Sequence, residues 1–156
     1  MTRDDAPNDH LTIRPADPAE HPALLRLWRR AVEATHGFLD PDDVDFYERA
    51  VASYLPRMSD LRVAEDAGRG VVGFVAVEDG VVEMLFVDPA EHGRGVGTRL
   101  LEDAVRDLPE AAVDVNEQNP GAVAFYRARG FEERGRSELD GEGRPFPLLH
   151  LGRARG

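Results

Sequence analysis

Three glycines alternate in a short turn that can hold an anion. Gly93, Gly95 and Gly97 follow the apolar run 81–87 and precede a leucine-rich amphipathic stretch that begins near Thr98. This order predicts a strand, a glycine turn and a helix. The N–H groups of such a turn can converge on one point, where the N-terminus of the helix also favours negative charge. The pattern therefore predicts a diphosphate site, with a tight turn that binds no ligand as the alternative.

Two phosphate-binding patterns do not fit this turn. The dinucleotide fingerprint needs a third glycine where the chain has Thr98 or Leu100. The phosphate loop of nucleoside triphosphatases needs a lysine after its last glycine. The chain contains no lysine, because all 19 of its Lys and Arg residues are arginine. The turn is thus predicted to bind a diphosphate of another kind.

Glu83 is the only ionisable residue inside the apolar run 81–87. A carboxylate in a buried strand is costly unless it is solvated or paired. It is interpreted either as a general base, acting directly or through water, or as an outward-facing residue at a strand edge. Simple alternation of side chains along a strand predicts that Glu83 shares a face with Leu85.

Hydrophobic periodicity predicts the elements that position these residues. The pattern indicates one mixed α/β (α+β) domain over residues 10–153, after a flexible N-terminus over residues 1–9. About seven strands are predicted, at 10–16, 61–65, 71–78, 81–87, 111–115, 131–137 and 147–151. Four helices are predicted, around 24–32, 41–55, 100–108 and 119–129. Asp79-Gly80 is a hairpin signal, and Asp40 and Asn119, each followed by proline, are predicted helix caps.

Composition narrows the class of function. The net charge of −11 argues against nucleic acid or an anionic membrane as partner, and favours a cationic one. The absence of cysteine excludes thiolate catalysis and cysteine-ligated metals. The five histidines show no spacing typical of a metal site, so no metal is expected. A polar N-terminus and the lack of a membrane-length apolar run indicate a cytoplasmic protein.

The segment His92-Gly93-Arg94-Gly95-Val96-Gly97 resembles the Gln/Arg-x-x-Gly-x-Gly/Ala signature of the GNAT N-acetyltransferase superfamily. A second block over 116–131, an asparagine before a helix that carries Phe-Tyr and ends in Gly-Phe, is similar to the family's other conserved block. Residues 34–39 and 135–151 resemble the YjaB-like bacterial branch. The resemblance covers about residues 11–151. It departs from the pattern at His92, where the family usually has Gln or Arg.

The resemblance implies a mixed, mostly antiparallel sheet whose fourth and fifth strands run parallel and splay apart. Acetyl-CoA would lie in that cleft as the acetyl donor. By position, the implied cofactor-binding residues are Leu85, Phe86, Val87, His92, Gly93, Arg94, Gly95, Val96, Gly97, Thr98, Asn119 and Phe125. A cofactor contact from Asn119 is compatible with its role as a helix cap.

The resemblance also implies a reaction, in which a primary amine attacks acetyl-CoA directly in a ternary complex. Tyr126 matches the family's general acid and would protonate the leaving thiolate. The alternative for Tyr126 is a core tyrosine. An alkylamine with a pKa of about 10.4 is neutral in only about one molecule in 2500 at pH 7. Glu83 would therefore help to remove the amine proton.

In the family, the acceptor pocket lies between the first two helices and the sheet. The resemblance therefore implies four acceptor-binding residues, each with core packing as the alternative: Trp28, His36, Phe38 and Tyr47. His36 or water is an alternative to Glu83 as the base. The expected partner is an amine-bearing small molecule, a protein lysine or a protein N-terminus, and the chain is expected to be a monomer or a homodimer. Two other functions remain open: a non-catalytic acyl-CoA-binding or regulatory module, and a nucleotide-binding module.

Overall fold

The computed structural model describes residues 10–154, and the predicted flexible segment 1–9 lies outside the described residues. The strands are β1 (Leu11–Pro15), β2 (Asp60–Asp66), β3 (Gly70–Glu78), β4 (Val81–Val87), β5 (Glu110–Asn116), β6 (Glu132–Ser137) and β7 (Leu148–Ala154). The helices are α1 (His21–Thr35), α2 (Pro41–Tyr54), α3 (Val96–Val105) and α4 (Pro120–Ala128). Within residues 10–154, no helix is both long and apolar enough to cross a bilayer.

The seven strands form one sheet in the order β1-β2-β3-β4-β5-β7-β6. Every neighbouring pair is antiparallel except β4 and β5, which are parallel. The parallel pairing is limited to Val81 with Ala112 and Val82 with Val113, and residues 84–87 pair with β3 alone. The mixed sheet with splayed fourth and fifth strands is therefore confirmed.

A β-bulge interrupts β4 at Glu83. Its two neighbours in β4 pair with consecutive residues of β3, Ala76 and Val77, so Glu83 lies opposite no residue of its own. An extra residue of this kind breaks the alternation of side chains and bends the strand. The expectation that Glu83 shares a face with Leu85 by simple alternation is therefore wrong.

Each face of the sheet carries an apolar cluster. One cluster lies under α3 and α4, and the other lies between α1, α2 and strands β2 to β4. The predicted stripe of α1, with Leu24, Leu27, Trp28 and Val32, is buried in the second cluster. Burying a side chain of this size contributes about 1.5–3 kcal/mol, so the stripe holds α1 against the sheet.

The short-range signals produced the expected local structures. Asp40 caps α2 by a capping box with Asp43, and the Asn119 side chain accepts a hydrogen bond from the backbone N–H three residues on, at 3.2 Å. Asp79 and Gly80 both have positive φ, 52° and 80°, as a type I′ hairpin turn requires. These caps and turns fix where the elements around the site begin and end.

Candidate active site

The glycine turn forms a cradle at the start of α3. Gly93 and Gly95 have φ of 84° and 81°, in the left-handed region that favours glycine. Gly95 is the N-cap residue of α3 and has no side chain to occupy the first N–H groups of the helix. These donors and the helix dipole are therefore available to a negatively charged ligand.

The cradle opens into a pocket of about 470 Å³. Most of the implied cofactor-binding residues line it: Val87, His92, Gly93, Gly95, Val96, Gly97, Thr98 and Phe125. Arg94 does not line this pocket; its side chain lies 3.9 Å from the Glu91 carboxylate. Leu85, Phe86 and Asn119 instead line the adjacent cleft between β4 and β5.

Arg129 also lines the cradle and was not identified in the sequence. Its Nη2 donates to the Thr98 hydroxyl at 2.7 Å, and its guanidinium carbon lies 3.8 Å from the centre of the Phe125 ring. Arginine is common near the C-terminus of a helix, so an arginine before Gly130 does not by itself indicate a ligand-binding role. Its position gives the cradle a cation suited to phosphate.

A buried acid closes the other side of the cradle. The Glu91 side chain is only 6% exposed, lines the same pocket, and accepts a hydrogen bond from Arg69 at 2.5 Å. An unpaired carboxylate at this point would repel a phosphate group. Arg69 balances that charge and so keeps the cradle suitable for an anion.

Tyr126 lies in the cleft where β4 and β5 separate, a space of about 180 Å³. Its buried ring packs edge-on against Phe125 and Phe131, with centroids 5.1 and 5.5 Å away. Burial raises the pKa of Tyr126. Within residues 10–154 its hydroxyl has no hydrogen-bond partner, so a protonated donor faces the cleft.

A second pocket of about 220 Å³ lies between α1, α2 and the sheet. Three of the four predicted acceptor residues line it: Trp28, His36 and Tyr47. Phe38 does not line the pocket but packs against two residues that do. The centre of its ring lies 5.3 Å from that of His36 and 5.8 Å from that of Phe146.

The loop between β6 and β7, residues 138–147, supplies a wall of this pocket that sequence reasoning missed. Asp140 and Phe146 line the pocket, and Asp140 accepts a hydrogen bond from the hydroxyl of Tyr47 on α2. Arg144 reinforces the contact by donating to Asp43 at 2.9 Å. The loop and α2 are about 90 residues apart in the chain, so no local pattern predicts their contact.

The pocket between α1, α2 and the sheet meets the cleft between β4 and β5. Five residues line both of them: His36, Glu83, Met84, Phe86 and Asn116. The Oδ1 atom of Asn116 is buried and has no hydrogen-bond partner within residues 10–154. A group held in the pocket therefore faces whatever lies against Tyr126 in the cleft.

Glu83 and His36 have opposite electrostatic environments at this junction. Glu83 is exposed, but a partial loss of solvent, together with the charges of Asp114, Glu78 and Asp79, raises the pKa of its carboxyl. Burial lowers the pKa of His36 to about 4. A general base is most effective when its pKa lies near the working pH. The pKa of Glu83 is shifted toward neutral pH, whereas the pKa of His36 is shifted away from it.

The hydrogen bonds of His36 define which of its nitrogens is free. The Thr35 hydroxyl donates to the Ala31 carbonyl at 2.8 Å, so its single proton is used. The Nδ1 atom of His36, 2.7 Å from that hydroxyl oxygen, must therefore carry the proton of the neutral ring. Nε2 is left as an acceptor on a residue that lines both pockets.

These features fit a diphosphate-bearing thioester such as acetyl-CoA. Positive φ at Gly93 and Gly95 shapes the cradle, and the separation of β4 from β5 leaves strand backbone groups unpaired for an extended arm.

Within residues 10–154, no group of three or more His, Asp or Glu side chains could hold a metal ion.

Comparisons with known proteins agree with this geometry. A family model described as "Acetyltransferase (GNAT) domain" matches residues 40–146. The chain is 41% identical over 141 residues to the peptidyl-lysine N-acetyltransferase YjaB of Escherichia coli K12, a match that covers 90% of this chain and 95% of the relative. The solution structure of apo YjaB from E. coli superposes with a TM-score of 0.85 at 40% identity, covering 94% of this chain and 99% of that one.

A more distant structure shows the same fold. The PaiA N-acetyltransferase of Thermoplasma acidophilum, in complex with coenzyme A, superposes with a TM-score of 0.70 at 17% identity, covering 93% of this chain and 99% of that one. The glycine cradle, the splayed strands and these matches lead to one conclusion: the chain belongs to the GNAT family of N-acetyltransferases, whose acetyl donor is acetyl-CoA.

Proposed function

We propose that this enzyme acetylates the side-chain amine of lysine in proteins or peptides. The observation that carries the proposal is the junction at which a small acceptor pocket opens into the cleft beside Glu83, Asn116 and Tyr126. The name of the E. coli relative, a peptidyl-lysine N-acetyltransferase, supports the same acceptor class.

The size of the acceptor pocket favours a side chain over a whole small molecule. Drug-sized ligands occupy pockets of about 300–1,000 Å³. This pocket is about 220 Å³ and is lined largely by apolar residues, including Trp28, Val32 and Phe86. Its volume and its lining suit an apolar stem that ends in one polar group, which is the form of a lysine side chain.

The charges of the pocket favour a single cation. Two acids line it, Asp140 and Glu83. The Asp140 carboxylate is already used, because it accepts hydrogen bonds from Tyr47 and from two backbone N–H groups of its own loop. The Glu83 carboxylate is therefore the one that can pair with a cationic amine. A polyamine carries several cationic amines and would need further acids along its length. The net charge of −11 adds a long-range attraction for lysine-rich segments.

The proposed proton transfers use Glu83 and Tyr126. Acetyl-CoA bound in the cradle and cleft supplies the acetyl group as a thioester. The amine nitrogen attacks the thioester carbon, the carbon–sulfur bond breaks, the amine proton passes to Glu83 directly or through water, and Tyr126 donates its proton to the leaving sulfur. His36 Nε2 and the Asn116 amide orient the amine by hydrogen bonds. The common lining of pocket and cleft supports direct attack in a ternary complex.

The test is thiol release from acetyl-CoA with a panel of amines. The chain contains no cysteine, so a thiol reagent reports only free coenzyme A. We expect turnover with lysine-containing peptides whose N-terminus is blocked, and mass spectrometry should place the acetyl group on the lysine side chain. Preferred turnover of spermidine or an aminoglycoside would overturn the choice of lysine.

The same assay separates the enzyme from a binding module. Calorimetry should show that coenzyme A binds to the folded chain. Binding without thiol release from any amine would contradict catalysis and support a regulatory acyl-CoA-binding role. A larger thermal stabilisation by ATP or NAD than by acetyl-CoA would contradict the cofactor assignment itself.

A further inference from the structure

Three side chains on adjacent strands form a hydrogen-bonded chain outside the proposed transfer step. His150 on β7 places Nδ1 2.7 Å from Oδ1 of Asp114 on β5. Its other ring nitrogen, Nε2, lies 2.6 Å from the hydroxyl of Ser137 on β6. The register brings them together, because Asp114 pairs directly with His150, and Ser137 pairs with the residue two positions before it.

The chemistry of the three groups fixes the direction of these hydrogen bonds. A carboxylate only accepts, so Asp114 requires the proton of the neutral imidazole on Nδ1. Nε2 then carries a lone pair, and the Ser137 hydroxyl donates to it. A hydroxyl bonded to a base, with that base oriented by an acid, is the arrangement that activates serine nucleophiles.

The chain of residues lies on an accessible part of the sheet. Val113 and Leu149, neighbours of Asp114 and His150 in sequence, are buried in the cluster under α3 and α4, so alternation directs the polar residues to the opposite face. In residues 10–154, the buried cluster under α1 and α2 on that face includes residues of β2, β3 and β4 but none of β5, β6 or β7. Asp114 is exposed, and His150 and Ser137 are partly exposed.

We propose that Ser137 is a base-activated nucleophile and forms a second acyl-accepting site, specific for activated acyl esters such as aryl acetates. The Ser137 oxygen attacks the ester carbonyl carbon while its proton passes to Nε2 of His150. The bond from carbon to the aryl oxygen breaks, and the phenolate takes that proton, leaving O-acetylated Ser137. Attack by water, with the same proton transfers, releases acetate and restores the serine.

The expected rate follows from the parts that the site contains. A positioned base is worth about 10²–10⁴ in rate. A donor that stabilises the oxyanion adds about another 10²–10³ in rate. The rate expected for Ser137 includes the base alone and no such donor. Ser137 is therefore expected to acylate at a measurable rate and to turn over slowly. An open sheet face selects for a good leaving group, not for a particular acyl chain.

Covalent labelling tests this site. The folded enzyme is treated with diisopropyl fluorophosphate or p-nitrophenyl acetate, and the adduct is mapped by peptide mass spectrometry. Because the chain has no lysine and no cysteine, these common competing nucleophiles are absent. We expect the adduct on Ser137 in the wild type, its loss in Ser137→Ala, and labelling of Ser137 at least about tenfold slower in His150→Gln.

Ser53→Ala is the matched control. Ser53 is an exposed serine of α2 whose hydroxyl donates to the Ala50 carbonyl, and within residues 10–154 it makes no hydrogen bond to a histidine or a carboxylate. Asp114 is not substituted in this experiment, because it also lines the cleft and a change there could affect acetyl transfer as well. Equal labelling of Ser53 and Ser137, an unchanged rate in His150→Gln, or no adduct on Ser137 would each overturn the proposal. Thiol release from acetyl-CoA with lysine peptides should be unchanged in Ser137→Ala, so the two sites are tested independently.

Discussion

Asp140 on the β6–β7 loop accepts a hydrogen bond from the hydroxyl of Tyr47 on α2, and this contact joins two walls of the proposed acceptor pocket. Burial raises the pKa of Tyr47, and the hydrogen bond to Asp140 and the charge of Asp140 raise it further, so the phenol remains a donor at neutral pH. Arg144 provides a second attachment of the same loop to α2 through Asp43.

Tyr47→Phe should weaken acceptor binding more than catalysis. The variant removes one of the loop's attachments and leaves the Arg144 contact in place. The loop should therefore stay folded but position Asp140 and Phe146 less well. We expect the KM for a lysine peptide to rise several-fold, with kcat and coenzyme A affinity nearly unchanged. A fall in kcat at an unchanged KM would contradict this role.

Tyr126→Phe should separate catalysis from stability. The hydroxyl makes no hydrogen bond within residues 10–154, so its removal breaks none, and the ring contacts to Phe125 and Phe131 persist. We expect Tm and coenzyme A affinity to be kept while kcat falls at least about tenfold through the loss of the general acid. Wild-type kcat in this variant would exclude Tyr126 from the mechanism.

Glu83→Gln should lower kcat at least about tenfold and remove the acid limb of its pH profile, because glutamine cannot accept the amine proton. Glu78→Gln is the matched comparison, since Glu78 contributes to the raised pKa of Glu83 without lining either pocket. That variant should keep the plateau of kcat and shift the acid limb to lower pH. Identical pH profiles for wild type and Glu83→Gln would show that Glu83 is not the base.

The same residue predicts a pH dependence of stability. The pKa of Glu83 is higher in the folded chain than in the unfolded one, so the folded state binds the proton more tightly. Ionisation therefore destabilises the fold as pH rises from the unfolded-state value through the folded-state value. Thermal melts should give Glu83→Gln a higher Tm than wild type at pH 7. The difference should vanish in acid, where both side chains are uncharged.

Two glycines of the cradle should respond differently to alanine. Gly95 has a φ of 81°, where a Cβ costs about 1–2 kcal/mol, so Gly95→Ala should lower the free energy of unfolding and weaken coenzyme A binding. Gly97 lies inside α3, and a Cβ there would meet Phe125 at 3.5 Å, an ordinary contact. Gly97→Ala should keep coenzyme A binding and stabilise the helix by about 0.5–1 kcal/mol. Calorimetry and thermal melts measure both effects, and equal responses would contradict this model of the turn.

Asn116→Leu should lose activity without losing stability. A buried acceptor without a partner costs about 1–3 kcal/mol, so an apolar residue of similar shape should keep or raise the free energy of unfolding. The loss of a hydrogen bond to the amine should lower kcat/KM for a lysine peptide about tenfold. A destabilised variant with full kcat/KM would show that Asn116 serves the fold and not the acceptor.

Much of this enzyme was predictable because its signals are local. Asp40 and Asn119 cap helices through contacts within three residues, and Asp79-Gly80 forms a hairpin turn because two positive φ angles suit those residue types. The glycine cradle was equally visible, since a run of apolar residues, alternate glycines and an amphipathic stretch each act over a few positions.

Tertiary structure alone decided how distant segments meet. The bulge at Glu83 arises from pairing with β3, and a strand that is apolar on both sides of the glutamate has no alternation that would reveal it. The contact of Tyr47 with Asp140 and the line from Asp114 through His150 to Ser137 depend on strand register and loop packing. Sequence determines which groups can donate, accept or turn the chain. Only the folded sheet brings them within the roughly 3 Å over which hydrogen bonding and proton transfer act.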